Sequence, residues 1–353
     1  MSKFLIKEIY NYSNRVEKKI KLKTLLSYNF NSFKTNQTFK SGFKEDLLTR
    51  LAKRTVEIEN FPYGLSTMPS VNKISDWYIK SFEDLYTFNN LNNDDEMVQL
   101  LKTIYNRHAD TNDRMSEGFK QLNKNLSNRY QEDVFGYLKI NGHLPFGQFE
   151  KLNMALDHFY TNRLSVRLLI DQYINYDNPK ENYIGVINKK TSPLEIINDA
   201  VIDATDLCRI NYGDSPNVII NEISNPILCY IPSHLYYVIF EIVKNSLRAS
   251  IENNQDEIEI IITGKEDLII KISDRGKGIK YVDLKKIWYY SYTTLEDNFY
   301  NDKIDLQRNS PMAGFGFGLP ISRSIIKFLD GDIRLMSMEG YGTDVYITIP
   351  IEV

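Results

Sequence analysis

The sequence predicts a two-domain α+β chain: an N-terminal four-helix bundle, then an α/β sandwich with helices on one face of a mixed sheet. Three observations predict it. Apolar residues recur at three- and four-residue steps through the first half. Runs rich in β-branched residues begin only after residue 216. Between the halves, "NPKENYIGVINKKTS" (178–192) breaks both rhythms. A length of 353 residues fits two domains.

In the first half, "SVNKISDWYIKSFEDLYTF" (70–88) places Val71, Ile74, Trp77, Tyr78, Phe82 and Leu85 on one helix face. The stretch 149–176 does the same with Leu152, Leu156, Tyr160, Leu164 and Leu168, after Pro145, which suits a helix start. In the second half, 217–223, 257–264 and 267–274 read as strands. The last two are joined by a short Lys-Glu connection, a hairpin signal. Residues 332–338 and 344–351 form another antiparallel pair across "EGYGT", and helices are expected at 193–210, 233–253 and 317–330. The expected boundaries are a short targeting or disordered segment at 1–8, the bundle at 9–180 and the sandwich at 181–353.

Composition excludes several classes. Net charge is −3, so no global basic field points to nucleic acid. No apolar run reaches the roughly 18 residues of a membrane span. Cys208 and Cys229 form no C-x-x-C, which argues against a disulfide framework or zinc site. His143, His158 and His234 have no metal-ligand spacing, and His158 reads as a core or interhelical residue. Residues 1–30 hold seven Lys/Arg against two Asp/Glu, a basic amphipathic start.

Three segments carry chemistry. In "EIVKNSLRAS" (241–250), Glu241 and Asn245 are four apart and share a helix face. A carboxylate beside an amide oxygen suits a proton acceptor next to a magnesium ligand. In "ISDRGKGI" (272–279), Asp274 leaves a strand end, and Gly276 and Gly278 let a ligand approach the backbone. In "AGFGFGLPISRS" (313–324), a glycine loop feeds a helix N-terminus, which offers free N–H groups to an anion. With "GTD" (342–344), these features fall within about 105 residues in a fixed order.

That set resembles the ATP-binding domain shared by histidine kinases, heat-shock ATPase chaperones, type II topoisomerases and MutL proteins, the Bergerat or GHKL fold. The flanks narrow it. "PSHLYYVIFEIVKNSLRASIE", "DLIIKISDRGKGI", "GFGFGLPISRS", "SMEGYGTDVY" and, in the first half, "LSTMPSVNKISDWYIKSFEDL" and "FYTNRLSVRLLIDQY" are similar to the mitochondrial 2-oxoacid dehydrogenase kinases. The resemblance runs from about residue 9 to 350.

It implies a protein-serine kinase that phosphorylates the E1α subunit of a 2-oxoacid dehydrogenase complex and inactivates it. Pyruvate dehydrogenase is the first substrate choice and branched-chain 2-oxoacid dehydrogenase the second. Glu241 would be the general base, with His108 tuning it, and Asn245 would hold Mg²⁺. Asp274 would accept from the adenine amino group beside Thr343, with Gly276 and Gly278 giving adenine room. Lys244, Arg248, Thr293, Thr294, Gly314, Phe315, Gly316, Phe317, Gly318 and Leu319 complete the implied nucleotide contacts, with an ATP lid over 291–313. The resemblance further implies ATP, Mg²⁺ and K⁺ as cofactors, the lipoyl domain of E2 as a partner, a homodimer, a 2-oxoacid pocket in the bundle and the mitochondrial matrix. Two other functions compete: a two-component histidine kinase using His108, and a nucleotide-gated scaffold with no phosphoacceptor. His108 is followed by Ala-Asp-Thr rather than a proline motif, which argues against the first.

Overall fold

The computed structural model describes residues 3–27, 37–129, 146–176, 180–292 and 316–351. The chain divides into two compact units, Met1–Pro179 and Lys180–Val353.

The first unit is helical: α1 (Lys3–Ser13), α2 (Leu22–Ser27), α3 (Gln37–Glu59), α4 (Pro69–Thr87), α5 (Asp94–Arg107), α6 (Thr111–Arg129) and α7 (Phe146–Asn175). The four longest, α3, α4, α6 and α7, supply the expected bundle. The apolar face read in 70–88 is the buried face of α4, with Val71, Ile74, Tyr78, Phe82 and Leu85 inside. Residues 3–8 of the segment expected as targeting or disordered lie in a helix. Helix α1 begins at Lys3 and buries Leu5, Ile9 and Tyr12, because its apolar stripe has α3 and the aromatic ring of Phe82 to pack on. The core assignment of His158 is corrected. Its side chain is 68% exposed, but Nδ1 lies 2.9 Å from Glu57 Oε1, so its interhelical role stands.

Charge is also used inside this unit. Arg50 and Arg54 on α3 are fully buried. Arg50 donates to Glu17 Oε1 at 2.8 Å and to the Lys18 carbonyl at 2.6 Å, and Arg54 donates to Glu57 Oε1 at 2.6 Å. Buried cations need such partners, and here they fasten the stretch between α1 and α2 onto α3.

The second unit holds a five-stranded sheet in the order β3-β5-β6-β8-β7, from β3 (Asn217–Glu222), β5 (Glu257–Gly264), β6 (Asp267–Asp274), β7 (Asp332–Met338) and β8 (Gly342–Pro350). Strands β3 and β5 are parallel and the other pairs antiparallel. Helices α8 (Pro193–Tyr212), α9 (Pro232–Ile251) and α10 (Gly318–Phe328) accompany the sheet. Period-2 alternation buries Ile258, Ile260 and Ile262 of β5, Leu268, Ile270 and Ile272 of β6, and Val345, Ile347 and Ile349 of β8. The register stacks these rows, with Ile260 opposite Ile272 and Ile272 opposite Val345.

The break expected at 178–192 contains structure. Strands β1 (Tyr183–Ile184) and β2 (Ile187–Thr191) form a hairpin that pairs with β4 (Leu228–Tyr230). Only Ile187 and Thr191 of β2 are buried, so the strand shows little apolar alternation.

Candidate active site

Helix α9 carries the first part of the site. Pro232 opens it at a position where a missing N–H is harmless. Leu235, Val238, Ile239, Ile242 and Val243 bury one face. Glu241 and Asn245 lie half-buried one turn apart beside that face. Between them Lys244 turns inward and is buried. Its Nζ donates to Glu241 Oε1 at 2.9 Å and sits 2.8 Å from Oε2, so one ammonium engages both carboxylate oxygens. Arg248, one turn on, has Nε 3.6 Å from Glu252 Oε1.

The second part is the end of β6. Asp274 continues the buried row of β6, opposite Ile258 on β5 and Thr343 on β8. The alternation that buries Leu268, Ile270 and Ile272 thus delivers a carboxylate to the core face. Burial pushes its pKa up to about 6, while the Gly276 N–H, the Ser246 hydroxyl and the Thr343 backbone pull the other way. The Gly276 N–H donates to Asp274 Oδ1 at 3.0 Å. The loop after Asp274 is pinned to the β7–β8 hairpin: Ile279 N–H donates to Ser337 Oγ at 2.8 Å and Gly340 N–H to the Lys277 carbonyl at 2.7 Å. Gly278 has φ +68°, and a Cβ there would collide with the Met338 carbonyl, so only glycine allows this approach. Thr343 Oγ1 is 2.9 Å from Ser337 Oγ.

The third part is the start of α10. Ser291 N–H donates to the Gly316 carbonyl at 3.1 Å, and the Phe317 ring lies 5.7 Å from that of fully buried Tyr290. Gly318 then opens α10 against Glu241: a Cβ on Gly318 would fall on the Glu241 carboxylate. Leu319 is half-buried in the first turn, and Pro320 occupies the turn without losing a helical bond. Helix α10 lies against α9, which brings the glycine loop and the E-x-x-x-N pair together.

Glu241, Lys244, Asn245, Arg248, Asp274, Gly276, Gly278, Gly316, Phe317, Gly318, Leu319 and Thr343 therefore belong to one unit. Thr293, Thr294, Gly314, Phe315 and lid residues 293–313 lie outside the described residues. His108 belongs to the other unit.

The residues fit a nucleotide and a hard cation. A buried acceptor carboxylate suits an adenine amino group, whereas Gly276 and Gly278, expected to give the ring room, are packed against the Ala249 backbone and the Met338 carbonyl. Among the described residues no three His, Cys, Asp or Glu side chains converge as a metal site. A lone amide oxygen such as that of Asn245 suits magnesium, which completes its shell with phosphate and water oxygens.

His108 caps α5 in the helical unit and is buried. Its Nε2 lies 3.0 Å from Ser81 Oγ, and its carbonyl accepts from Arg163 Nη2 at 2.6 Å. Burial first, then Arg163, Arg107 and Arg167, push its pKa down to about 3, so it is neutral. Tyr78 packs 4.2 Å from the imidazole, and Arg167 stacks over Tyr105 at 3.9 Å. Buried atoms without a hydrogen-bond partner cluster here among the described residues: Tyr78 Oη, Arg163 Nε and Arg167 Nη1.

Sequence reasoning missed Ser246, Ser337 and this cluster. Arg163 and Arg167, four apart within an apolar helix, were its one visible signal. Ser246 and Ser337 act through tertiary contacts that leave no local pattern.

Comparison with known proteins follows the same division. Residues 19–188 match the family model described as mitochondrial branched-chain alpha-ketoacid dehydrogenase kinase. Residues 230–353 match that described as histidine kinase-, DNA gyrase B-, and HSP90-like ATPase. The chain is 33% identical over 361 residues to a mitochondrial pyruvate dehydrogenase (acetyl-transferring) kinase of Arabidopsis thaliana, covering 98% of this chain and 93% of the relative. It is also 33% identical over 368 residues to the human kinase isozyme 3, covering 97% and 84%.

Proposed function

Because the chain belongs to the mitochondrial 2-oxoacid dehydrogenase kinase family, we propose that it transfers the γ-phosphoryl group of ATP to a serine of the E1α subunit of a pyruvate dehydrogenase complex and so inactivates it. The observation that carries this is the meeting of Glu241, Gly318, Asn245 and Asp274 within one unit. The histidine-kinase and scaffold alternatives are not favoured, since these relatives carry the name of a dehydrogenase kinase. The family model over residues 19–188 favours branched-chain 2-oxoacid dehydrogenase as the second substrate.

Each residue then has a task. Asp274 accepts from the adenine amino group, with Thr343 beside it; Gly276 and Gly278 serve by letting their loop pack against the Ala249 backbone and the Met338 carbonyl. Lys244, Arg248, the Gly316–Phe317 approach and the start of α10 at Gly318 and Leu319 receive the phosphates; free N–H groups and the helix dipole favour them there. Asn245 offers its amide oxygen to Mg²⁺, which when bound neutralises phosphate charge. Glu241 takes the serine proton as the hydroxyl oxygen bonds to the γ-phosphorus and ADP departs. Phosphoryl transfer needs positioning and charge neutralisation above all, and this arrangement supplies both.

The helical unit supplies regulation and docking. The unpaired Tyr78, Arg163 and Arg167 atoms around neutral His108 suit a small 2-oxoacid, whose carboxylate would satisfy guanidinium and phenol donors. The E2 lipoyl domain, a homodimer and the mitochondrial matrix complete the proposal.

Labelled ATP presented with purified pyruvate and branched-chain E1 proteins side by side tests it, with phosphoserine mapped on each. Label is expected on pyruvate E1α, and Glu241→Gln is expected to bind ATP yet transfer nothing. Acid-labile label on the kinase itself, lost in His108→Ala, would overturn the proposal.

A further inference from the structure

We infer that Lys244 is a positioning residue that holds the Glu241 carboxylate until the nucleotide's phosphates take its ammonium, so that phosphate binding releases the base. The inference rests on the kinase reading above and extends it to the order of events.

Glu241 is engaged at both oxygens by Lys244, at 2.9 and 2.8 Å. A general base needs a lone pair aimed at the proton it removes. A carboxylate whose two oxygens face one ammonium offers the acceptor hydroxyl its poorer remaining directions. The pair is also sheltered: the Lys244 side chain is 6% exposed and that of Glu241 13%. The Phe240 ring lies 5.5 Å from Nζ and covers one side. Gly318 closes the other side, since a Cβ there would fall on Glu241. Glu241 thus lies against the first turn of α10, a place whose free N–H groups favour an anion.

One cation and one helix start therefore face two claimants, the Glu241 carboxylate and a polyphosphate. A polyphosphate carries more charge and more acceptor oxygens than a carboxylate, so it wins the ammonium when it arrives. Glu241 is then free to turn one oxygen to the serine hydroxyl.

A double-mutant cycle in the full chain reads the competition directly. Wild type, Glu241→Gln, Lys244→Met and the double variant are titrated with ATP and with AMP by calorimetry. Circular dichroism checks folding, and the double variant keeps the test valid if Lys244→Met alone fails to fold with Glu241 left unpaired. If the inference holds, Glu241→Gln tightens ATP about threefold to tenfold by freeing Lys244. That gain disappears when Lys244→Met is also present, and AMP shows none of it. An unchanged ATP affinity in Glu241→Gln overturns the inference while leaving the kinase reading intact. A gain that persists without Lys244 also overturns it, since charge repulsion by Glu241 then explains the effect. Wild type that binds no ATP overturns both.

Discussion

Asp274 shows how a strand period becomes a binding residue. The alternation that buries Leu268, Ile270 and Ile272 places a carboxylate on the core face, where its pKa rises to about 6. An adenine amino group donates, and the ionised form, acceptor-only and charged, receives it better than the protonated form. Affinity is therefore full above pH 6 and falls as pH drops through it, by at most about tenfold per unit. Adenosine, which has no phosphate to titrate, should show this fall between pH 7.5 and 5 in a calorimetric titration. A flat adenosine profile would remove Asp274 from the adenine contact. Asp274→Asn should abolish ATP binding, because an amide can donate where the adenine amino group also donates.

At the scale of elements, the site depends on how closely α10 approaches α9. Gly318 sets that distance, because any side chain there meets the Glu241 carboxylate. Gly318→Ala should push the carboxylate or the helix start aside by a fraction of an ångström to an ångström. A displacement of that size costs about a hundredfold in rate. Steady-state phosphorylation with unchanged circular dichroism checks it, and a wild-type rate would show that the approach is incidental. Much of this element layout was legible in the sequence. Strands expected at 217–223, 257–264, 267–274 and 332–338 agree with β3, β5, β6 and β7 to within a residue. Their β-branched runs sit in a sheet with one packed face, where pattern and structure coincide. The small sheet of β1, β2 and β4 was not legible. "INKKT" buries only its two ends, and its partner β4 lies about forty residues away. The burial of Arg50 and Arg54 has no local signal either, because their partner Glu17 is remote in the chain.

At the scale of the whole molecule, the two units carry titrating groups of opposite sign. His108 in the helical unit has a folded pKa of about 3, below its ordinary 6.5. The unfolded chain then binds more protons across that window, so the stability from neutral His108 is present above pH 6.5 and is lost as pH falls. Asp274 in the ATP-binding unit has a folded pKa of about 6, above its ordinary 3.8. There the folded state binds more protons, and stability is lost as pH rises from 3.8 through 6. Moving from pH 7 to pH 5 should thus cost the helical unit about 2 kcal/mol through His108 and favour the other unit by about 1 kcal/mol through Asp274. Glu57 and Asp171, both raised by burial, oppose His108 within the helical unit, so a variant must isolate its part. Hydrogen exchange of the full chain at pH 5 and 7, corrected for intrinsic rates and read by peptide, separates the units. Protection should fall on acidification in α4 and α5, and His108→Gln should remove most of that fall. It should hold or rise in β6 and β8, and Asp274→Asn should remove that response. Equal slopes in His108→Gln and wild type would mean that His108 is charged or exposed in solution, against the buried neutral ring bonded to Ser81.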